Sequence, residues 1–245
     1  MPRYKLYIEY DGGGFLGWQT QASGITVQGI LEQAMHLLHG EHCLVYGAGR
    51  TDTGVHAFSQ VAHVDLPKQW DPFDLRNAIN GNIRPHRVSV LEVKLVSEDF
   101  HARFSATKRK YLYRIMNRRA PPALDIGHVW WVAPELDADA MHEAAQHLVG
   151  HHDFTTFRAA DCQAKSPEKT IDVLSVSRFG DCIEITAEAR SFLHHQVRSI
   201  VGSLKQVGEG KWQTHDMKRA LDARSRAACG AVAPPQGLYL VSVTY

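Results

Sequence analysis

The sequence predicts an α+β protein of two domains, each with a mostly antiparallel sheet. Three observations lead there. Alternating β-rich segments and amphipathic helical segments are interleaved along the chain. The first stretch of about 95 residues runs β-α-β-β-α-β. The length, 245 residues, suits two domains of about 100 to 150 residues, each large enough to bury a core.

The elements follow in order. RYKLYIEYD alternates and is rich in tyrosine and isoleucine, which reads as a strand. From Val27 to Leu38 apolar residues recur at helical spacing, with Thr26 as N-cap and Gly40 as the stop. HCLVYGA and FSQVAHVDL read as strands, FDLRNAIN as a helix and VSVLEVKLV as a strand. This order is that of the split β-α-β, or ferredoxin-like, unit. The second half adds strands at RKYLYRIM and HVWWV and a helix at ADAMHEAAQHLV. TIDVLSVSRFGDCIEITAEAR reads as a hairpin turning at Phe179-Gly180-Asp181. HHQVRSIVGSLKQVG and HDMKRALDAR read as helices, and GLYLVSVTY as a closing strand. The expected division is 1–105 and 106–245, both ferredoxin-like.

Composition excludes several classes. Hydrophobic residues are 44% and charged residues 22% of the chain, as in soluble globular proteins. No apolar run approaches the roughly 20 residues that span a bilayer. The N-terminus reads as a strand, not as a signal segment, so the expected location is the cytoplasm. The four cysteines form no CxxC pair, and the adjacent histidine pairs have no metal-site spacing. The net charge is +1, yet Arg103 to Arg119 holds seven lysines and arginines and no acid, with Phe104, Tyr111 and Tyr113 among them. Such a segment suits a nucleic-acid surface, where cations hold phosphates and rings stack on bases. A solvated strand explains it equally well.

Three motifs carry chemistry. GGGFLG, residues 12–17, fits the dinucleotide fingerprint G-x-G-x-x-G. Helical periodicity begins only at Val27, too late to offer phosphates a helix N-terminus, so a glycine-rich turn is the better reading. Asp52-Thr53-Gly54 spells the aspartic-protease triplet, but that chemistry needs a second copy and one protonated carboxyl. No second copy occurs, and Arg50 favours an ionised Asp52. An ionised aspartate in a loop with Gly47, Gly49 and Gly54 suits a nucleophile or base approached by a bulky ligand. Taken alone, the loop is better explained by an Asp52 that caps a turn and pairs with Arg50.

The full set of motifs points further. AGRTDTGVHA, YDGGGFLGWQTQ, FHARFSATKRKYLYRI, SFLHHQVRSIVG and APPQGLYLVSVTY together resemble the tRNA pseudouridine synthase TruA family, from Tyr10 to Tyr245. Two places depart from the family pattern: the basic IRPHRVSV, where the family more often has leucine-proline and an acid, and the triple glycine at 12–14, where a serine is common.

The resemblance implies isomerisation of uridine to pseudouridine in the anticodon stem-loop of tRNA, at tRNA positions 38, 39 and 40. It implies a homodimer and neither metal nor cofactor. The family's catalytic aspartate falls on Asp52, its motif arginine on Arg50, its active-site tyrosine on Tyr111 and a second, aspartate-pairing arginine on Arg198. Lys108, Arg109, Lys110 and Arg114 are candidate RNA contacts. The attack site, C1′ of the ribose or C6 of the uracil, stays open, and a catalytically silent tRNA-binding module is the alternative. His56 and His63 are taken as structural.

Overall fold

The computed structural model describes residues 1–245. It is a mixed α/β protein whose strands pair mostly antiparallel. The chain forms two compact units, Met1–Thr107 with Tyr239–Tyr245, and Lys108–Leu238. The closing strand, which the sequence reading assigns to the second domain, is thus counted with the first.

The first unit contains β1 (Arg3–Tyr10), α1 (Val27–His39), β2 (Val45–Gly47), β3 (His56–Asp65), α2 (Pro72–Asn82), β4 (Val88–Val96) and β10 (Leu238–Thr244). Strand β1 lies between β4 and β3, antiparallel to both. The far edge of β3 is shared: β2 pairs antiparallel with its C-terminal part and β10 parallel with its start. Tyr4, Leu6 and Ile8 on alternate β1 positions are fully buried, as are Leu31 and Met35 of α1 and Leu75 and Ile79 of α2. Period-2 and period-3.6 patterns therefore meet in one core.

Helix α1 matches its expected caps. The Thr26 side chain accepts from the Gly29 amide, and Gly40 ends the helix at φ 75°. Helix α2 starts from Asp71, whose carboxylate accepts from the Phe73 and Asp74 amides, with Pro72 in the first turn. Strand β2 is shorter than HCLVYGA suggests.

The second unit contains β5 (Lys108–Asn117), β6 (Trp130–Val132), α3 (Ala138–Gln146), β7 (Gly150–Asp153), β8 (Glu168–Phe179), β9 (Cys182–Ala189), α4 (Gln196–Gly208) and α5 (Asp216–Asp222). Its sheet order is β5-β9-β8-β7, antiparallel throughout, with β6 parallel to β5. The β8–β9 hairpin turns where expected, Phe179 facing Cys182. Helix α4 begins at Gln196 and not at His194, because His195 sits at φ 59°, outside the helical region. Tyr113, Ile115, Phe154, Phe157, Ile183, Ile185 and Leu204 form the fully buried core. No helix is long and apolar enough to cross a membrane.

Candidate active site

The Asp52 loop joins β2 to β3 in the first unit. Its shape comes from the glycine-rich segment that follows β1. The amide of Trp18 donates to the carbonyl of Thr51 at 3.0 Å. Thr51 is buried, and its hydroxyl lies 2.8 Å from the Tyr10 hydroxyl. The Asp52 carbonyl accepts from the Val55 amide at 3.1 Å, closing a tight turn. Gly17 has φ +87°, and a Cβ there would lie 2.6 Å from the Thr51 carbonyl oxygen. A Cβ on Gly12 would collide with the carbonyl of Val55. The two glycines let two backbones touch on either side of Asp52. GGGFLG is thus a seat for the aspartate loop, which explains why no helix follows it.

Trp18 and His56 complete the seat. Trp18 is buried and packs against Gly47, with the Tyr10 ring 6.1 Å away. His56 is 2% exposed, and its Nδ1 lies 3.0 Å from the Gly12 amide that donates to it. Asp11 caps the short 3-10 turn at Gly12–Gly14 and pairs with Arg87 at 2.7 Å. His63 is equally buried and accepts from the Ala102 amide at 3.2 Å. Both histidines are buried, and each accepts from a backbone amide.

Arg50 is exposed and makes no ion pair with Asp52. The pairing considered from sequence is therefore absent. Asp52 itself is half-buried on this fixed backbone.

Tyr111 and Arg198 belong to the second unit. Residues of β5 alternate between faces, so Arg109, Tyr111 and Tyr113 share one face, and Lys108, Lys110 and Arg114 the other. The Tyr111 ring is half-buried and meets Phe192 edge-on, with centroids 5.3 Å apart. Arg198 lies on α4, near enough to Tyr113 for its charge to act on that phenol. Its Nε donates to the Ala233 carbonyl at 2.8 Å, while the neighbouring Pro234 carbonyl takes the Tyr113 hydroxyl at 2.7 Å. The Ala233 amide donates back to the Arg198 carbonyl at 3.1 Å. The start of APPQG thus fixes this arginine. Burial pushes the Tyr113 phenol well above its ordinary pKa, against the opposing pull of Arg198.

The candidate RNA cations differ from their expectation. Lys108 and Lys110 both pair with Glu188, at 3.2 and 3.3 Å. Arg114 lies 3.8 Å from Glu184. Arg109 is buried and donates to the Arg190 carbonyl at 2.6 Å. A count along β5 cannot see the acids that β9 places beside it.

Comparison with known proteins agrees with the motifs. A family model described as tRNA pseudouridine synthase matches residues 6–105 and 144–245. The chain belongs to the tRNA pseudouridine synthase family and is an isomerase. Its similar relatives include proteins named tRNA pseudouridine synthase A. That of Afipia carboxidovorans is 60% identical over 245 residues, covering 100% of both chains. That of Parvibaculum lavamentivorans is 59% identical with the same coverage. That of Paramagnetospirillum magneticum is 59% identical, over 100% of this chain and 96% of its own. Among solved structures, a chain of a Cbf5-Nop10-Gar1 complex aligns at TM-score 0.40 and 9% identity, over 97% of this chain and 48% of that one. At that distance the likeness says nothing about function.

Proposed function

We propose that this chain isomerises uridine to pseudouridine in the anticodon arm of tRNA, with Asp52 as the nucleophile. Membership in the family supports the reaction class. The observation that supports the role of Asp52 is its clamped loop. Buried Thr51, Gly12 and Gly17 fix the backbone on which half-buried Asp52 sits. Preorganised placement of a reacting group is worth several kcal/mol of barrier.

The other roles follow from chemistry. A paired and stacked uridine must leave its helix, at a cost of a few kcal/mol. Exposed Arg50, bound to no carboxylate, is suited to hold the flipped nucleotide. The ring of Tyr111 recovers about 1 to 3 kcal/mol by stacking on the base. The role that the family resemblance gives Arg198 is to keep the Asp52 carboxylate charged and oriented during the reaction. Asp52 bonds to the nucleoside and the C1′–N1 bond breaks. The uracil turns, C5 bonds to C1′ and the bond to Asp52 breaks. The C5 proton leaves to water and N1 takes up a proton. No electrons are gained or lost in these steps.

In this reading the first unit carries the aspartate loop, the second carries Tyr111 and Arg198, and both are ferredoxin-like. The strand order β4-β1-β3-β2 of the first unit supports this for that unit. We place the enzyme in the cytoplasm as a homodimer, as the family resemblance implies. The β5 cations contribute little to RNA affinity, given their acidic partners.

The test is release of tritium from C5. The sugar moves from N1 to C5, so the C5 hydrogen must leave to water. tRNA labelled at C5 of uridine is incubated with the protein and a chelator. Wild-type protein releases tritium into water, and Asp52→Ala releases none while still binding tRNA in a mobility-shift assay. Binding without release by the wild type would leave only a tRNA-binding module.

A further inference from the structure

The segment that departs from the family pattern, IRPHR, leads from α2 into β4 and borders a groove the catalytic reading leaves unused. The groove is open, about 600 Å³ in volume, and lies between these two elements. Arg76, Asn77, Asn80, Gly81, Arg84 and Ser89 are among its lining residues. Its floor is tied down: the Asn80 side chain donates to the Val90 carbonyl and accepts from the Val90 amide, both at 2.8 Å. Strand β4 is two places from β3 in the sheet, so the groove is separate from the loop that bears Asp52.

Its charge is unbalanced. No acidic residue occurs from Leu75 to Leu91, and none lines the groove. Arg84 is exposed and makes no ion pair. Arg76 makes none either; its guanidinium touches the Asn77 side chain and stacks 4.7 Å from the Phe73 ring, which is 60% exposed. The contrast with β5 is direct. There every exposed candidate cation has a glutamate opposite. Here two arginines face solvent from one concavity beside neutral amides. Fork-shaped donors of this kind match phosphate oxygens, and Phe73 offers a face to a base or sugar.

We propose that this groove binds the sugar-phosphate backbone of tRNA through Arg76 and Arg84, as an anchoring surface apart from the catalytic residues. The proposal rests on the reading that tRNA is the substrate.

The test is tRNA affinity against salt for wild type, Arg76→Ala/Arg84→Ala and Arg76→Lys/Arg84→Lys. Each lost phosphate contact removes about 0.7 to 0.9 from the logarithmic salt slope. The alanine pair is expected to flatten the slope by about 1.5 and to weaken binding at least about tenfold. Its single-turnover rate at saturating tRNA stays at the wild-type value. The lysine pair keeps the slope, because a point charge still displaces counterions. Should the alanine pair melt early, Arg84→Glu alone decides, since this exposed side chain holds no part of the fold. Wild-type affinity and slope in the alanine pair would overturn the groove. Failure of the wild type to release tritium would instead overturn the functional reading, and the salt slope would still decide whether the groove binds RNA.

Discussion

Arg198 commits its Nε to the Ala233 carbonyl at 2.8 Å, and the Ala233 amide returns a bond to its own carbonyl. A lysine here keeps the charge but loses both this anchor and the planar fork that grips a carboxylate. Arg198→Lys is therefore expected to lower the single-turnover rate at least about tenfold, or roughly 1.4 kcal/mol. Its melting temperature should change little, because the arginine is only half-buried. A wild-type rate in rapid-quench measurements would remove Arg198 from the role of orienting Asp52. The family resemblance singled out this residue, with Asp52, Arg50 and Tyr111, because each sits in a short local motif. It did not show Gly12, Gly17 and Thr51 as the aspartate's seat. Those contacts join segments more than 30 residues apart, and no periodicity reports them.

Strand β5 shows how much a neighbouring strand adds to the charge of an element read alone. Its run of cations suggested a track for RNA. The antiparallel register sets Glu188 directly opposite Lys110 and Glu184 directly opposite Arg114. Opposite charges facing each other across strands attract. The pairs hold Glu188 below the usual carboxylate range; burial opposes this and hydrogen bonds from Lys108 and Lys110 outweigh it. Alternation also points Lys108, Lys110 and Arg114 away from the Tyr111 face. Lys108→Glu/Lys110→Glu is therefore expected to change the logarithmic salt slope of tRNA binding by less than about 0.9, the value of one phosphate contact. A fall near 2 would restore the strand as the RNA track. Most elements were legible from period and caps, α1 being the clearest. Their ends were less so. Helix α4 starts two residues late because His195 turns left-handed, a backbone state that residue type does not announce.

At the scale of the whole chain, the first unit holds three histidines with lowered pKa beside one lowered carboxylate, Asp65, which its hydrogen bond from Arg3 holds down. Burial is the largest cause lowering the pKa of His39, His63 and His101, and all three belong to the first unit. His63 is pushed down to about 4, with His101 and Arg3 adding to the effect. Its Nδ1 accepts from the Ala102 amide, so protonation would set a donor against a donor. In the second unit the lowered groups are carboxylates: Asp153, Glu188 and Glu209. A depressed histidine binds its proton in the unfolded chain first. Stability of the first unit is thus fully present above the unfolded value of about 6.5 and is lost as pH falls from there toward 4. For His63 alone the limit is about 3 kcal/mol, at 1.36 kcal/mol per pH unit. Depressed carboxylates contribute stability above their unfolded value of about 4, and lose it only below. Between pH 6.5 and 4.5, therefore, the first unit should weaken while the second holds. Native-state hydrogen exchange, corrected for intrinsic rates, reads the two separately. Amides of β1 and β3 are expected to lose protection across this window, and those of β8 and β9 to keep it. His63→Gln, with a side chain that does not titrate, should flatten the loss in the first unit. Equal loss in both units, or an unchanged slope in His63→Gln, would show that buried neutral histidines do not set the acid limit of this protein.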